Sequence, residues 1–406
     1  MQIGSLAIFI LVYLGMVLGS WPGLAIDRTG IALLGAIAFI ELQNITIGEA
    51  TQYIDAPSLA ILFSFMIISA QFYYSGFYTK VVQEWDKRNF TPRKLLFNII
   101  VASALLSAIL INDIVCLALT PLIINICSKK NLNPIPFLLG LVFSSNIGSA
   151  LTLIGNPQNL LIGQVKEISF TGYLQFSFVP CFLSLLATWA IIVFLYQKNW
   201  YASHDIKSLK EITYDNWQSK KGIVVICIVL FFFIFTNLPR DKISLAAAGI
   251  LLLSRKMASK TILNFIDWQL LVLFIGLFIV NKSFLQMNSL SSISNYLPLS
   301  FIDLNNPFWL IAVVVITSNL ISNVPAVMLM LPFIETDFQG SLLAIASTFA
   351  GNLFIVGSIA NIIVVTQASN MGITIDWKKY LKLGFPITMG SFLILIVWLY
   401  VWQFLI

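Results

Sequence analysis

Two stretches of this sequence place amides and hydroxyls deep inside apolar surroundings. The first is Asn146 to Asn159, NIGSALTLIGNPQN, within the apolar segment Ile135–Val165. Asn oxygens and backbone carbonyls freed by a helix break suit a hard cation such as Na⁺. The N–H groups and positive dipole at the start of the next helix suit an oxyanion. Gly155 and Pro157 supply the break, because Pro lacks an N–H and clashes with the turn before it. In hydrocarbon such a break survives only inside protein or along a watered cavity, and transporters build sites from interrupted helices of this kind. The second stretch, Leu342–Gln367, holds Gly351-Asn352 and Gly357-Ser358-Ile359-Ala360-Asn361.

Two further apolar stretches are broken mid-way, 95–127 at Asn112-Asp113 and 308–333 at Ser322-Asn323. The candidates for substrate binding are Asn146, Gly148, Thr152, Gly155, Asn156, Pro157, Asn159, Asn323, Gly357, Ser358 and Asn361. Those for coupling to Na⁺ or H⁺ are Asn112, Asp113, Asn146, Ser322, Asn323 and Asn352. Polar groups at membrane depth are costly, so function is the default reading. The plain alternative for any single Asn is hydrogen bonding between helices, and for Asp113 it is capping of the arm that follows. Asp113 is the one carboxylate at either tip, able to hold a cation or a proton.

The elements that position these residues are membrane spans. Of the 406 residues 59% are hydrophobic and 10% charged, against about 25% charged in soluble domains. An all-α polytopic membrane protein follows, with lipid as its surroundings. The net charge of +6 lies in loops between apolar runs, where it sets orientation and gives no nucleic-acid signal. Leu6–Leu18 lacks a basic leader and cleavage site and reads as the first span. Cys116, Cys127, Cys181 and Cys227 read as small buried hydrophobes, and His204 is the only histidine, so no metal beyond Na⁺ and no cofactor is expected. No HExxH, GxSxG or GxxxxGK is present, and an enzyme is not expected.

The first spans read as Ser5–Trp21, Thr29–Glu41 and Pro57–Tyr78, followed by a basic loop at 80–94. Each arm of 95–127 looks too short for a comfortable span, and Arg93, Lys94, Lys129 and Lys130 flank it on both sides. It therefore reads as a re-entrant hairpin based in the cytoplasm. Residues 1–196 form a first repeat, 197–221 a cytoplasmic linker and 222–406 a second repeat. Asp27/Asp241, Asp55/Asp267, Asn112/Asn323 and Asn159/Asn361 match at offsets of 214, 212, 211 and 202, a drift that short deletions produce and chance does not. Each half has five crossings and one hairpin, so the second half is inverted. About ten transmembrane helices, two re-entrant hairpins and two discontinuous helices result. The loops assigned inside hold 19 of the 23 Lys and Arg, which puts both termini outside.

NIGSALTLIGNPQN resembles the NIGG…T.IG.PPN motif of the ion transporter superfamily, and SNVPAV (322–327) resembles its second hairpin tip. That superfamily includes divalent anion/sodium symporters, citrate transporters, arsenite permeases and NhaD-type antiporters. The resemblance covers essentially the whole chain. It implies scaffold helices and a moving transport domain that carries the hairpins and broken helices. Symporter members have Ser-Asn-Thr tips; here the tips are Ile111-Asn112-Asp113 and Ser322-Asn323-Val324, closer to the arsenite-permease and NhaD side. The expected function is secondary active transport of a small inorganic or organic anion coupled to Na⁺ or H⁺, in the inner or plasma membrane. The alternatives are arsenite/antimonite efflux, Na⁺/H⁺ antiport and a passive channel. A homodimer is compatible with this reading.

Overall fold

The computed structural model describes residues 2–21, 23–202, 213–286 and 303–404. His204, Lys207 and Lys210 lie outside the described residues. Helices run through the chain as α1 (Gln2–Leu18), α2 (Arg28–Gln43), α3 (Ile47–Gln52), α4 (Ala56–Tyr74), α5 (Phe77–Asp86), α6 (Pro92–Ile109), α7 (Asn112–Lys129), α8 (Pro134–Ser149), α9 (Pro157–Val165) and α10 (Phe170–Tyr196). The later ones are α11 (Asn216–Phe235), α12 (Arg240–Leu252), α13 (Ser259–Leu263), α14 (Trp268–Gln286), α15 (Pro307–Ile321), α16 (Asn323–Met330), α17 (Asp337–Ala350), α18 (Ile359–Asn370) and α19 (Trp377–Trp402). Among the described residues there is no sheet, only two isolated β-bridges.

Seven of these helices are long and apolar enough to cross a membrane, and α1, α8 and α15 are shorter apolar helices. Many large apolar side chains stay exposed on them, among them Leu105, Phe182, Phe231 and Leu393. A soluble protein rarely tolerates so much exposed apolar surface; a bilayer covers it. Cys227 is exposed on α11, whereas the other three cysteines are buried as expected.

Three boundaries differ from the sequence reading. The third span stops at Tyr74, since Gly76 turns the chain at φ 71°. A Cβ on Gly76 would lie 2.8 Å from Thr213 O, so a side chain there is excluded by space as well as by backbone angle. The basic loop at 80–94 is partly α5, with Lys80 and Glu84 paired at 3.1 Å across one helical turn. Finally, α11 begins at Asn216 inside the expected linker, capped by Asp215, whose Oδ1 accepts from Trp217 N and Gln218 N.

Hairpin one is α6 and α7. Each arm is an 18-residue helix, so length does not mark it as re-entrant, contrary to the sequence expectation. Position does. From its base near Lys130, which bonds Asp86 O at 3.1 Å, the chain returns through α8 to the level of the tip. There Asn112 N donates to Gly155 O at 3.2 Å, in the break that follows α8. Helix α9 then carries on for nine residues, about 13 Å further. At its end Lys166 Nζ donates to Ile334 O at 2.5 Å, in the turn joining hairpin two (α15 and α16) to α17. The bases of the two hairpins therefore lie at opposite ends of the α8–α9 pair.

Packing falls into two sets. In one, α2 lies on α14 and α1, and α4 on α12. In the other, α6 and α7 lie on α8, α15 on α17, and α10 on α19. Single polar side chains tie the sets together. Ser69 of α4 accepts from Ile111 N at the first tip (3.2 Å). Asn281 of α14 donates to Met328 O in the second hairpin (3.1 Å) and accepts from Tyr13 OH (2.7 Å). Met328 O needs that donor because the residue four positions on is Pro332, which has no N–H to give. Replacing Asn281 with Ala leaves both partners buried and unpaired, so about 1–3 kcal/mol of stability should be lost. Thermal unfolding in detergent checks this, and a variant as stable as the parent would contradict it.

Candidate substrate and ion site at the crossing

Both interrupted helices are built alike. Helix α8 ends at Ser149, residues 150–156 cross the break, and α9 starts on Pro157, whose missing N–H costs nothing at a first helical position. Helix α17 ends at Ala350 and α18 starts after Ser358. Asn159 Nδ2 donates to Ser149 O (3.1 Å) and Thr152 O (3.3 Å). Asn361 Nδ2 donates to Gly351 O (2.7 Å) and Phe354 O (3.0 Å). Each of these residues sits 202 positions after its counterpart. The residues that open the second helices, Asn156 and Ser358, share backbone angles, φ −144° and ψ 143° against −143° and 143°. One Asn in each half thus staples the carbonyls that the break sets free.

The hairpin tips meet the breaks at matching residues, though through different atoms. Asn112 N reaches Gly155 O, and Ser145 Oγ reaches Asn112 O at 3.4 Å. With its amide turned so that nitrogen donates, Asn323 reaches Gly357 O (2.9 Å) and Ser347 O (3.0 Å). Gly357 and Ser347 again follow Gly155 and Ser145 by 202. The tips themselves differ. Two residues, Leu110 and Ile111, join α6 to α7, both in extended conformations. Ser322 alone joins α15 to α16, at φ 74° and ψ 160°, a region that is essentially restricted to Gly. The shorter link explains why the matching offset falls from 212 before the tip (Ser107/Asn319) to 211 after it (Asn112/Asn323). Backbone strain at Ser322 takes up the missing residue.

Asn146 joins the two halves. Its Nδ2 donates to Asn352 Oδ1 (2.8 Å) and Asn361 Oδ1 (2.9 Å). Its Oδ1 accepts from Asn112 Nδ2 (3.3 Å) and Ser358 Oγ (3.2 Å). All five side chains are buried. Two atoms of this cluster, Asn112 Oδ1 and Asn352 Nδ2, have no partner among the described residues. One is an acceptor fit for a cation or proton donor, the other a donor fit for an anion or hydroxyl. Neither α9 nor α18 has a side-chain cap, so their first-turn N–H groups have no intrahelical acceptor.

The remaining candidates fall around this centre. Asn156 Nδ2 bonds Ser149 Oγ at 3.3 Å. Thr152 Oγ1 bonds Ala108 O in hairpin one. Gly148 and Gly155 are needed for close approach, with Ala104 and Ser107 backbone atoms where a Cβ would go. Gly357 is less tightly held, its nearest backbone atom at 3.1 Å. Asp113 stands apart. It is half-buried in the first turn of α7, that turn has no side-chain cap, and Asp113 makes no hydrogen bond or ion pair among the described residues. Its capping alternative thus has no hydrogen bond behind it.

The sequence reading missed Ser145, Ser149, Ser347 and Thr348. Thr348 Oγ1 donates to Ala344 O at 2.8 Å, lies 3.3 Å from Asn159 Oδ1 and accepts from Gln158 Nε2 at 3.4 Å. Small hydroxyl residues one turn apart, such as Ser103 and Ser107, are the signal that would have pointed to such helix contacts; Ser107 Oγ lies 2.8 Å from Ser145 Oγ.

The citrate transporter family (CitMHS) matches residues 9–349. The chain belongs to that family. It is a multi-pass membrane transporter, and the family and its relatives are named as transporters, not enzymes. A 46 kDa membrane protein of Mycobacterium leprae is 27% identical over 92% of each chain. The silicon efflux transporter LSI3 of Oryza sativa subsp. japonica is 28% identical over 86% of this chain and 87% of its own. The putative transporter arsB of Dictyostelium discoideum is 23% identical over 91% and 87%. Among solved structures, the Alcanivorax borkumensis YdaH transporter superposes with a TM-score of 0.61 at 14% identity, covering 99% of this chain and 98% of that one. Neisseria gonorrhoeae MtrF, from a class of antimetabolite efflux pumps, gives 0.62 at 10% identity over 99% and 94%. At such identities the CitMHS chain shares a fold with these two, and nothing finer follows from them.

Proposed function

We propose that this CitMHS protein is a secondary active transporter of a small anion in the cell membrane, coupled to Na⁺ or H⁺ and working by alternating access. Residues 1–196 and 222–406 act as an inverted pair around the crossing. The observation that carries this reading is Asn146, which ties Asn112, Asn352, Asn361 and Ser358 together from both halves while one acceptor and one donor stay open. Contacts recurring 202 residues on, and hairpin bases at opposite ends of α8–α9, support the inverted pair. The anion would be held by Asn352 Nδ2, Ser358 and the uncapped starts of α9 and α18, and the cation by Asn112 Oδ1, with Asp113 one position further along the first turn of α7.

A second reading within the same site has its own support. No Lys or Arg stands among these site residues, so an uncharged oxyacid suits the amides and hydroxyls as well as an anion does. Arsenous acid is uncharged at neutral pH, and relatives named arsB and silicon efflux transporter lend weight to arsenite/antimonite efflux. Reconstituted protein should accumulate one member of a panel of oxyanions, carboxylates and arsenite when a Na⁺ or pH gradient is imposed, and not without one. Unitary conductance with no gradient-driven accumulation would overturn the proposal in favour of a channel.

A further inference from the structure

A second polar cavity lies apart from the crossing. It is a crevice of about 480 Å³ between the starts of α4, the end of α9, the end of α14 and the outer arm of hairpin two. Its lining includes Asp55, Lys166, Asn281, Lys282, Met328 and Pro332. Pockets of this size take small ligands. The end of α9 lies opposite the Lys129–Lys130 base of hairpin one, which puts the crevice on the outer side.

Charge at this place is unusual. Only Lys166, Arg240, Lys242 and Lys282 fall outside the loops assigned to the cytoplasm, and cations on that side run against the prevailing bias. Arg240 is accounted for, donating to Gly163 O (3.2 Å) and Ile168 O (2.6 Å) at the carbonyl end of α9. Two of the other three, Lys166 and Lys282, line the one crevice; Lys166 gives one of its three N–H groups to Ile334 O at 2.5 Å and keeps its charge. Lys282 is exposed and makes no ion pair among the described residues. The segment after Gln286, residues 287–302, has no charged side chain, so it brings no carboxylate to neutralise Lys282. Asp55 is the single carboxylate of the lining, and its Oδ1 is already engaged by Ser58 N at 2.8 Å. As the N-cap of α4 the Asp55 carboxylate lies against that helix's positive end and offsets it, which leaves the two lysines as the surplus positive charge of the wall. On the floor, Asn281 and Met328 belong to the contact that holds hairpin two, whose arm leads to the Asn323 tip.

We propose that this crevice is an outer receiving site for a small oxyanion or carboxylate, held by Lys282 and Lys166 before it reaches the crossing. Its destination rests on the anion reading above; its charge selectivity does not, and is tested separately. Leu285 lines the crevice, so Leu285→Cys in a Cys227→Ser background gives a reporter thiol with the exposed native cysteine removed. An anionic sulfonatoethyl methanethiosulfonate should label it faster than the trimethylammonium reagent. Lys282→Gln should lower that ratio about five-fold or more, as focused charge in a cleft raises local anion concentration by at least this order. Millimolar sulfate or citrate should slow labelling when Lys282 is present and not in Lys282→Gln. An unchanged ratio in Lys282→Gln overturns the proposal. So does a ratio that changes but shows no protection by either anion, because general screening alone then explains it. If labelling behaves as expected while reconstituted protein accumulates no anion, the receiving site stands and the anion-transport reading falls.

Discussion

Asp113→Asn should remove most gradient-driven accumulation while leaving the protein folded. Asp113 is the one carboxylate at a hairpin tip, next in sequence to Asn112, whose Oδ1 has no partner. It makes no hydrogen bond among the described residues, so its removal orphans no neighbour and breaks no cap. What is lost is a charge, and a carboxylate in low dielectric holds Na⁺ far more firmly than amides do. Accumulation should fall about ten-fold or more, equivalent to ~1.4 kcal/mol of coupling. Protons compete for the same oxygens, so in the parent the dependence on Na⁺ should weaken as pH falls. If H⁺ is the coupling ion, the variant should keep substrate exchange but lose the pH dependence of transport. A folded Asp113→Asn protein with unchanged accumulation and ion dependence would move the coupling site to Asn112, Asn146, Asn323 or Asn352.

The second large effect is structural and separates the two breaks. In Gly155→Ala the new methyl would stand 2.4 Å from Ser107 O and 2.6 Å from Ser149 O, and in Gly148→Ala 2.3 Å from Ala104 Cα. These are backbone atoms of helices packed on both sides, which cannot swing away as a side-chain tip does. Overpacking of this kind costs about 1–3 kcal/mol or more. Gly357→Ala meets its nearest backbone atom only at 3.1 Å, so its loss should be clearly smaller. The position matching Gly148, Ala350, already has its methyl. Thermal unfolding in detergent should therefore rank Gly155→Ala and Gly148→Ala well below Gly357→Ala. Equal stability of all three would mean the first break is no tighter than the second.

Much of the architecture was legible because the interruptions are chemically loud. Gly155-Asn156-Pro157 and Ser322-Asn323 stand out in segments otherwise made of Leu, Ile, Val and Phe. The pairing 112/323 and 159/361 was legible too, because matching residues kept their spacing. The centre was harder to see. Asn146 meets Asn352 and Asn361, 206 and 215 residues away, and no local pattern encodes which distant amide a side chain will face. Asn281 and Ser69 were hidden for a different reason. One polar residue inside a long apolar span looks the same whether it glues two helices or lines a site. Helix α5 was missed because charged residues were read as loop, although Lys80 and Glu84 have the i,i+4 spacing that stabilises a helix. Arm length misled for hairpin one, where Pro92 and Lys129, polar ends outside the apolar run, extend both helices to 18 residues.

Alternating access requires that the amide crossing be reached from the two faces in turn. It is tested most directly with a thiol at Ser358, which bonds Asn146 Oδ1 at 3.2 Å, in a protein whose four native cysteines are replaced. In oriented proteoliposomes, Ser358→Cys should be labelled by a membrane-impermeant reagent from either face, with the coupling gradient deciding which face is faster. The transported substrate should protect it from both. Labelling confined to one face under every gradient, or no protection by a substrate the protein accumulates, would rule out alternating access at this crossing.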